Sequence, residues 1–175
     1  SHMRLTSANS INVARFLPQS FYYFYACAQL QRMGKQDRVV ACVPSGNFGN
    51  ICSALIGKRM GLPVSRFIAA NNANDVFLDL YGHSVEAIRA DIAGATFSDA
   101  QIADTVRDCL RQTGYQLDPH GACGYRALQE GLQEGETGFF LETAHPAKFK
   151  SVVEGITGHT VEIPARLAAF MKGEK

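Results

Sequence analysis

Residues Val43-Pro44-Ser45-Gly46-Asn47-Phe48-Gly49-Asn50 combine hydroxyl and amide side chains with a Gly-x-x-Gly pair. Those residue types suit an anion. Glycine lets the backbone come close to oxygens, and the free N–H groups of a helix N-terminus point at negative charge. The segment fails the common nucleotide patterns. A Walker A loop needs Lys-Ser/Thr after its last glycine, where Asn50-Ile51 stand here. A dinucleotide fingerprint needs three glycines and an acid closing the second strand, where Asn71-Asn72 stand. Spacing alone fits a phosphate cradle and a plain tight turn equally, because asparagine accepts left-handed geometry.

The flanking segments decide what the turn joins. Arg38-Val39-Val40-Ala41-Cys42-Val43 is short, β-branched and bounded by turn formers, so it predicts a buried strand. Ile51 to Met60 carries apolar or small residues at helical spacing and stops at Gly61-Leu62-Pro63. Val64 to Ala70 predicts a second strand, which makes a βαβ unit and a parallel sheet with a right-handed crossover. Asn71 to Asp75 then forms a polar loop at the carboxyl edge of that sheet, where ligands of open α/β sheets bind.

Further out, Asn9 to Leu30 is helix-compatible with Ser10 as a possible cap, and Pro18 breaks or kinks it. The run Phe21-Tyr22-Tyr23-Phe24-Tyr25 reads as core packing of a buried helix rather than a ligand platform. Amphipathic helices are expected over Ser84–Ala93 and Ser98–Thr113, the second opened by a Ser98-x-x-Gln101 capping box. Tyr115-Gln116-Leu117 is a short strand candidate. Asp118 and Pro119 open a helix reaching Glu130. Gly138 to Thr143 is a third core strand, and Ala144-His145-Pro146 turns into a helix over Ala147–Gly155, followed by a tail from Ile163-Pro164 to Lys172. Two strand ends, Ser45–Asn50 and Thr143–Pro146, thus share one sheet edge. Thr143 either offers its hydroxyl to a ligand or caps the turn before Pro146.

The bulk numbers bound the rest. The 175 residues suffice for one domain or part of one, and 17 Lys plus Arg against 16 Asp plus Glu leave no basic stripe for nucleic acid or a membrane surface. Cys27, Cys42, Cys52, Cys109 and Cys123 are odd in number and irregularly spaced, as for reduced core residues of a cytoplasmic protein. No apolar stretch reaches the roughly 18–20 residues of a membrane span. Ser1-His2-Met3 reads as the remnant of an expression tag. His83, His120, His145 and His159 show no metal-ligand spacing, so no metal site is expected. His120 and His145 are candidate acids or bases, though histidines near helix starts are more often structural.

Five blocks occur in order: Ser7-Ala8-Asn9-Ser10-Ile11-Asn12, Pro44-Ser45-Gly46-Asn47-Phe48-Gly49-Asn50, Asn72-Ala73-Asn74-Asp75, Asp118-Pro119-His120-Gly121-Ala122 and Thr143-Ala144-His145-Pro146-Ala147-Lys148-Phe149. This series closely resembles threonine synthase, a pyridoxal-phosphate enzyme of fold type II, from about Arg4 to near the C-terminus. The resemblance implies an α/β fold: an open parallel sheet with helices on both faces, residues 4–175 forming the C-terminal part of a cofactor-binding domain. It implies that Ser45, Gly46, Asn47, Phe48, Gly49 and Asn50 surround the 5′-phosphate of pyridoxal 5′-phosphate. Thr143 would bond the pyridine nitrogen, a hydroxyl there leaving that nitrogen largely unprotonated. The implied reaction converts O-phospho-L-homoserine and water into threonine and phosphate.

Two departures limit that expectation. The family's Schiff-base lysine lies in an N-terminal region that this chain lacks. Lys35, Lys58, Lys148, Lys150, Lys172 and Lys175 sit in no matching motif, and Lys148 reads as a solvated charge. The chain alone is therefore expected to be inactive. Family members also carry roughly thirty more residues after the position of Phe77. The alternatives are a dehydratase-like enzyme of the same fold, which the Thr-Ala-His-Pro-Ala-Lys-Phe block argues against, and a non-catalytic phosphate- or nucleotide-binding module. Surface normally covered by missing sequence would favour self-association.

Overall fold

The computed structural model describes residues 12–46, 48–74, 91–171 and 173. Residues 7–11 of the first block, Asn47, Asp75, Phe77, His83, most of the helix expected over Ser84–Ala93, Lys172 and Lys175 lie outside the described residues. Helix α1 (Val13–Phe16) is capped by the Asn12 side chain, which accepts from the Ala14 N–H at 3.0 Å. A 3-10 turn at Leu17–Gln19 holds Pro18 and separates α1 from α2 (Ser20–Arg32). The expected break at Pro18 is there, since proline has no N–H to continue the ladder.

Then follow β1 (Val39–Pro44), α3 (Gly49–Arg59), β2 (Arg66–Asn72), β3 (Ile92–Phe97), α4 (Asp99–Thr113), α5 (Pro119–Gly131) and β4 (Thr137–Phe140). A 3-10 turn at Pro146–Phe149 leads into α6 (Lys150–Thr157), and α7 spans Ala165–Met171. Among the described residues the strands form one parallel sheet in the order β3-β2-β1-β4. The chain steps outward from β1 to β3, then returns to the other side of β1 for β4. Such a reversal opens a crevice at the carboxyl ends of the two strands flanking it.

Alternation along the strands feeds two cores. Val40, Cys42, Ile68 and Ala70 face α4, α5 and α6, packing with Val106, Leu117, Ala127 and Val153. Val39, Ala41, Val43, Phe67 and Ala69 face α2 and α3, packing with Tyr23, Ile51 and Ala54. Burial on both faces is what a β-branched, uninterrupted central strand of a parallel sheet requires. The expected architecture, an open parallel sheet with helices on both faces, is therefore observed.

At the opposite edge, Glu136 ties the amino ends of three strands. Its side chain, 2 % exposed, receives Arg66 Nε at 3.0 Å, the Gln133 N–H at 2.9 Å and Arg38 Nη2 at 3.5 Å, while Arg66 Nη2 bonds its second oxygen. Small residues let α5 lie close to the sheet. A Cβ on Gly131 would stand 2.7 Å from Ile68 Cδ1, and one on Gly124 3.2 Å from Pro44 Cγ.

Several expectations are corrected. Residues 92–93, assigned to a helix, begin β3, a largely exposed strand whose order comes from pairing with β2. Tyr115–Leu117 forms no strand: the segment joins α4 to α5, and Leu117 is a fully buried plug. The strand expected to reach Thr143 ends at Phe140, although the Leu141 N–H still donates to Cys42 O at 3.0 Å. Asn71 and Asn72, expected in a loop, end β2. In the aromatic run only Tyr23 is fully buried; Phe21 and Tyr25 are 64 % and 67 % exposed.

Candidate functional site

Three helices begin beside the carboxyl edge of the sheet. The β1–α3 turn and the first turns of α4 and α5 contribute to one cavity of about 930 Å³, a size typical of small-molecule sites. Ser45, Gly46 and Phe48 line it from the β1–α3 turn, and Asn71, Asn72 and Asn74 from the end of β2. Asp99 and Ile102 line it from α4, Pro119, His120 and Cys123 from α5. No Lys or Arg lines it among the described residues.

The three helix starts differ in how their N–H groups are satisfied. Ser98 and Gln101 form the expected capping box on α4. Asp118 caps α5, its Oδ1 accepting from the His120 N–H at 2.8 Å. At α3 the N-cap is Phe48, which gives no side-chain cap and stands in the left-handed region at φ +54°. A bulky residue there costs on the order of 1–3 kcal/mol and persists only when its surroundings demand it. The first N–H groups of any α-helix have no partner within the helix. At α3, unlike at α4 and α5, the cap residue supplies no side-chain acceptor for them.

The turn before α3 is firmly held. The Ser45 N–H donates to Ala70 O at 2.8 Å and its hydroxyl to Val43 O at 2.9 Å. With its amide nitrogen facing Ser45, the buried Asn71 donates to the Ser45 carbonyl oxygen. Gly46 leaves open space: a Cβ there would meet no atom within 4 Å. Asn50 faces away from the cavity, its Oδ1 accepting from the Tyr22 and Tyr23 hydroxyls at 2.8 and 2.7 Å. Burial raises the Tyr23 phenol far above its ordinary value, so it remains a donor.

Of the residues singled out in the sequence, Ser45, Gly46 and Phe48 therefore line the cavity, while Gly49 and Asn50 begin α3 and do not line it. Asn47 lies outside the described residues. Thr143 is exposed and does not line the cavity, but continuing the β1–β4 register brings it level with Ser45. His120 lines the cavity; His145 instead caps the Pro146 turn, its Nδ1 accepting from the Ala147 N–H at 3.1 Å. Among the described residues no group of three or more His, Cys, Asp or Glu side chains could hold a metal ion.

The sequence reading missed the hydrogen-bonding role of Asn71, the tyrosine clamp on Asn50 and the meeting of Asp118 with Glu142. A glutamate closing the apolar run Phe139-Phe140-Leu141 was the available signal for the last. Its carboxyl sits within hydrogen-bonding reach of Asp118, and burial followed by that neighbour pushes it far above the usual carboxylate range.

Comparisons with known proteins agree with the fold. A family model described as "Threonine synthase, C-terminal" matches residues 121–175. The threonine synthase of Serratia marcescens is 42% identical over 199 residues, an alignment covering 95% of this chain and 46% of that protein. The crystal structure of threonine synthase from Escherichia coli superposes with a TM-score of 0.85 at 39% identity, covering 94% of this chain and 46% of its own. A PLP-bound threonine synthase from Brucella melitensis gives 0.82 at 29% identity, covering 96% and 48%. The chain thus spans about half the length of the curated relatives it matches. By sequence and by fold together, the chain matches threonine synthases over 94–95% of its own length and about 46% of theirs.

Proposed function

We propose that this chain supplies the phosphate-holding part of a pyridoxal 5′-phosphate site in a threonine synthase. The whole enzyme would convert O-phospho-L-homoserine and water into L-threonine and phosphate, in the cytoplasm. The observation that carries the proposal is the start of α3: N–H groups with no side-chain cap, at the reversal of strand order, opening on a cavity of sufficient size.

The residues present fit the group. The space over Gly46 is free for phosphate oxygens, and the first-turn N–H groups from Gly49 onward offer the positive end of a helix dipole. Ser45 and Asn71 keep the turn rigid, so the anion meets a preformed cradle. Asn50 contributes its backbone, while its side chain anchors α3 to α2. Asn47 and Phe48 complete the loop, and Thr143 is assigned to the pyridine nitrogen. Bound pyridoxal phosphate supplies the electron sink that stabilises carbanions.

No described lysine of this chain lines the cavity. Lys58 bonds Asp91 and Ser65 O, Lys150 bonds Glu154 and Val161 O, and Lys148 lies exposed over the Phe149 ring. This chain by itself is therefore proposed to bind the cofactor non-covalently and to be inactive. Calorimetry with pyridoxamine 5′-phosphate, which lacks the aldehyde and cannot form an imine with lysine, tests the reading. Binding that falls at least about tenfold when the phosphate is removed supports it, because each charged hydrogen bond is worth about 1.5–3 kcal/mol. Tight binding of ATP without binding of pyridoxamine 5′-phosphate points instead to a nucleotide module.

A further inference from the structure

Two carboxyls meet at the start of α5 without an ordinary donor between them. Asp118 is fully buried; its Oδ1 is occupied by the His120 N–H and by His120 Nδ1 at 3.0 Å. Among the described residues Asp118 Oδ2 and both carboxyl oxygens of Glu142 are buried with no hydrogen-bond partner. Gly121 makes this approach possible, since a Cβ there would lie 2.3 Å from both Glu142 oxygens. Three buried acceptor oxygens cannot satisfy one another while both groups are ionised, and two like charges in contact are disfavoured. A single proton resolves both problems.

The proton's place follows from the surroundings. Burial and then Asp118 push Glu142 upward, so it keeps the proton. Burial also works to raise Asp118, but hydrogen bonds from His120 and Glu142 outweigh it and hold Asp118 below its ordinary value. The other titratable groups facing the pair are Tyr115 and Cys123, with Cys109 beside Tyr115 and Asp99 beside Cys123. Tyr115 and Cys123 are raised by burial and by nearby carboxylate charge, and stay neutral near pH 7. His120 is fixed from two sides, by Asp118 at Nδ1 and by the Phe149 ring at 5.0 Å, and the residue lines the cavity. The ring nitrogen left by Asp118 is Nε2.

We propose that His120 accepts and returns a proton at Nε2 for a ligand in this cavity, with Asp118 and a protonated Glu142 as its positioning residues. In that step the ligand's O–H, N–H or C–H bond breaks, its electron pair stays on the ligand atom, and the Nε2 lone pair forms the new N–H bond. The resulting imidazolium is held by the Asp118 carboxylate, and reversal returns the proton. Glu142 acts one bond further out: its proton occupies Asp118 Oδ2 and leaves Oδ1 for His120. The inference rests on the cavity being the cofactor site proposed above.

Nuclear magnetic resonance of the chain labelled with 13C-glutamate and 15N-histidine reads each part. The expected result near pH 7 is a protonated Glu142 carboxyl and a His120 tautomer with the proton on Nδ1. Glu142→Gln keeps that tautomer, because the amide N–H replaces the carboxyl proton, whereas Asp118→Asn loses it. Adding pyridoxamine 5′-phosphate shifts the Nε2 resonance. An ionised Glu142, a His120 with the proton on Nε2, or an Nε2 signal unmoved while the amides of Ser45, Gly46 and Gly49 shift would overturn the inference. The cofactor reading fails separately, through loop amides that stay still, and the tautomer and carboxyl signals of the unliganded chain still decide the pair.

Discussion

Replacing Glu136 by Gln should loosen the amino edge of the sheet in a pH-dependent way. The side chain is 2 % exposed and gathers Arg66, Arg38 and the Gln133 N–H. Hydrogen bonding from Arg66 leads the causes that hold its carboxyl down at about 2, against an ordinary 4.5, with burial opposing. That depression sets a ceiling of roughly 3.5 kcal/mol at about 1.4 kcal/mol per unit. Arg66 and Arg38 retain 20 % and 56 % exposure, so solvent screening reduces the figure to about 2 kcal/mol. For a chain of this size that is a fall in Tm of about 4–8 °C. The sign follows from linkage: a folded-state value below the unfolded one contributes above the unfolded value and is lost as pH falls. The gap between wild type and Glu136→Gln should be full at about pH 7, shrink below about 4.5 and vanish near about 2. Urea melts of both proteins across that range measure it. A gap that stays constant from neutral to acid pH would refute the reasoning, because the charge would then contribute nothing.

Four other substitutions separate packing from binding. Asn50→Ala leaves the buried Tyr23 hydroxyl with only a 3.4 Å contact to Asn50 O, and should cost about 1–3 kcal/mol in urea melts, against under about 1 for Tyr22→Phe. Gly138→Ala puts a Cβ 2.5 Å from Leu128 Cδ1 and 2.9 Å from the Val40 carbonyl oxygen; since the backbone cannot yield as a side chain can, thermal melts should show a loss on the order of 1–3 kcal/mol. Gly46→Ala meets nothing within 4 Å and should leave stability within about 1 kcal/mol of wild type, while calorimetry shows weaker binding of pyridoxamine 5′-phosphate.

Local rules made much of this fold legible. The β-branched run at Val39–Val43 could only be a strand buried on both faces, and Ser98 with Gln101 fixed the start of α4 because a capping box satisfies its own N–H groups. Strand β3 escaped because Ile92-Ala93-Gly94-Ala95 has weak strand propensity, and its order comes from the Phe67–Asn72 edge of β2. Tyr115–Leu117 looked like a strand because burial of Leu117 imitates one without a pairing partner. At the site, the loop from Ser45 was legible because its glycines and the following helix are contiguous in sequence. The Asp118–Glu142 meeting was not, since it joins a helix cap to the end of a strand 24 positions later and depends on Gly121 having no side chain.

The central claim is that the turn from Ser45 into α3 holds the phosphate of the cofactor. Backbone amide shifts of the 15N-labelled chain on titration with pyridoxamine 5′-phosphate test it most directly. The account predicts that the largest shifts fall on Gly46, Gly49 and Asn50, and that pyridoxamine without its phosphate leaves these amides in place. Shifts confined to other surfaces, with the α3 amides unmoved at saturating ligand, would contradict it.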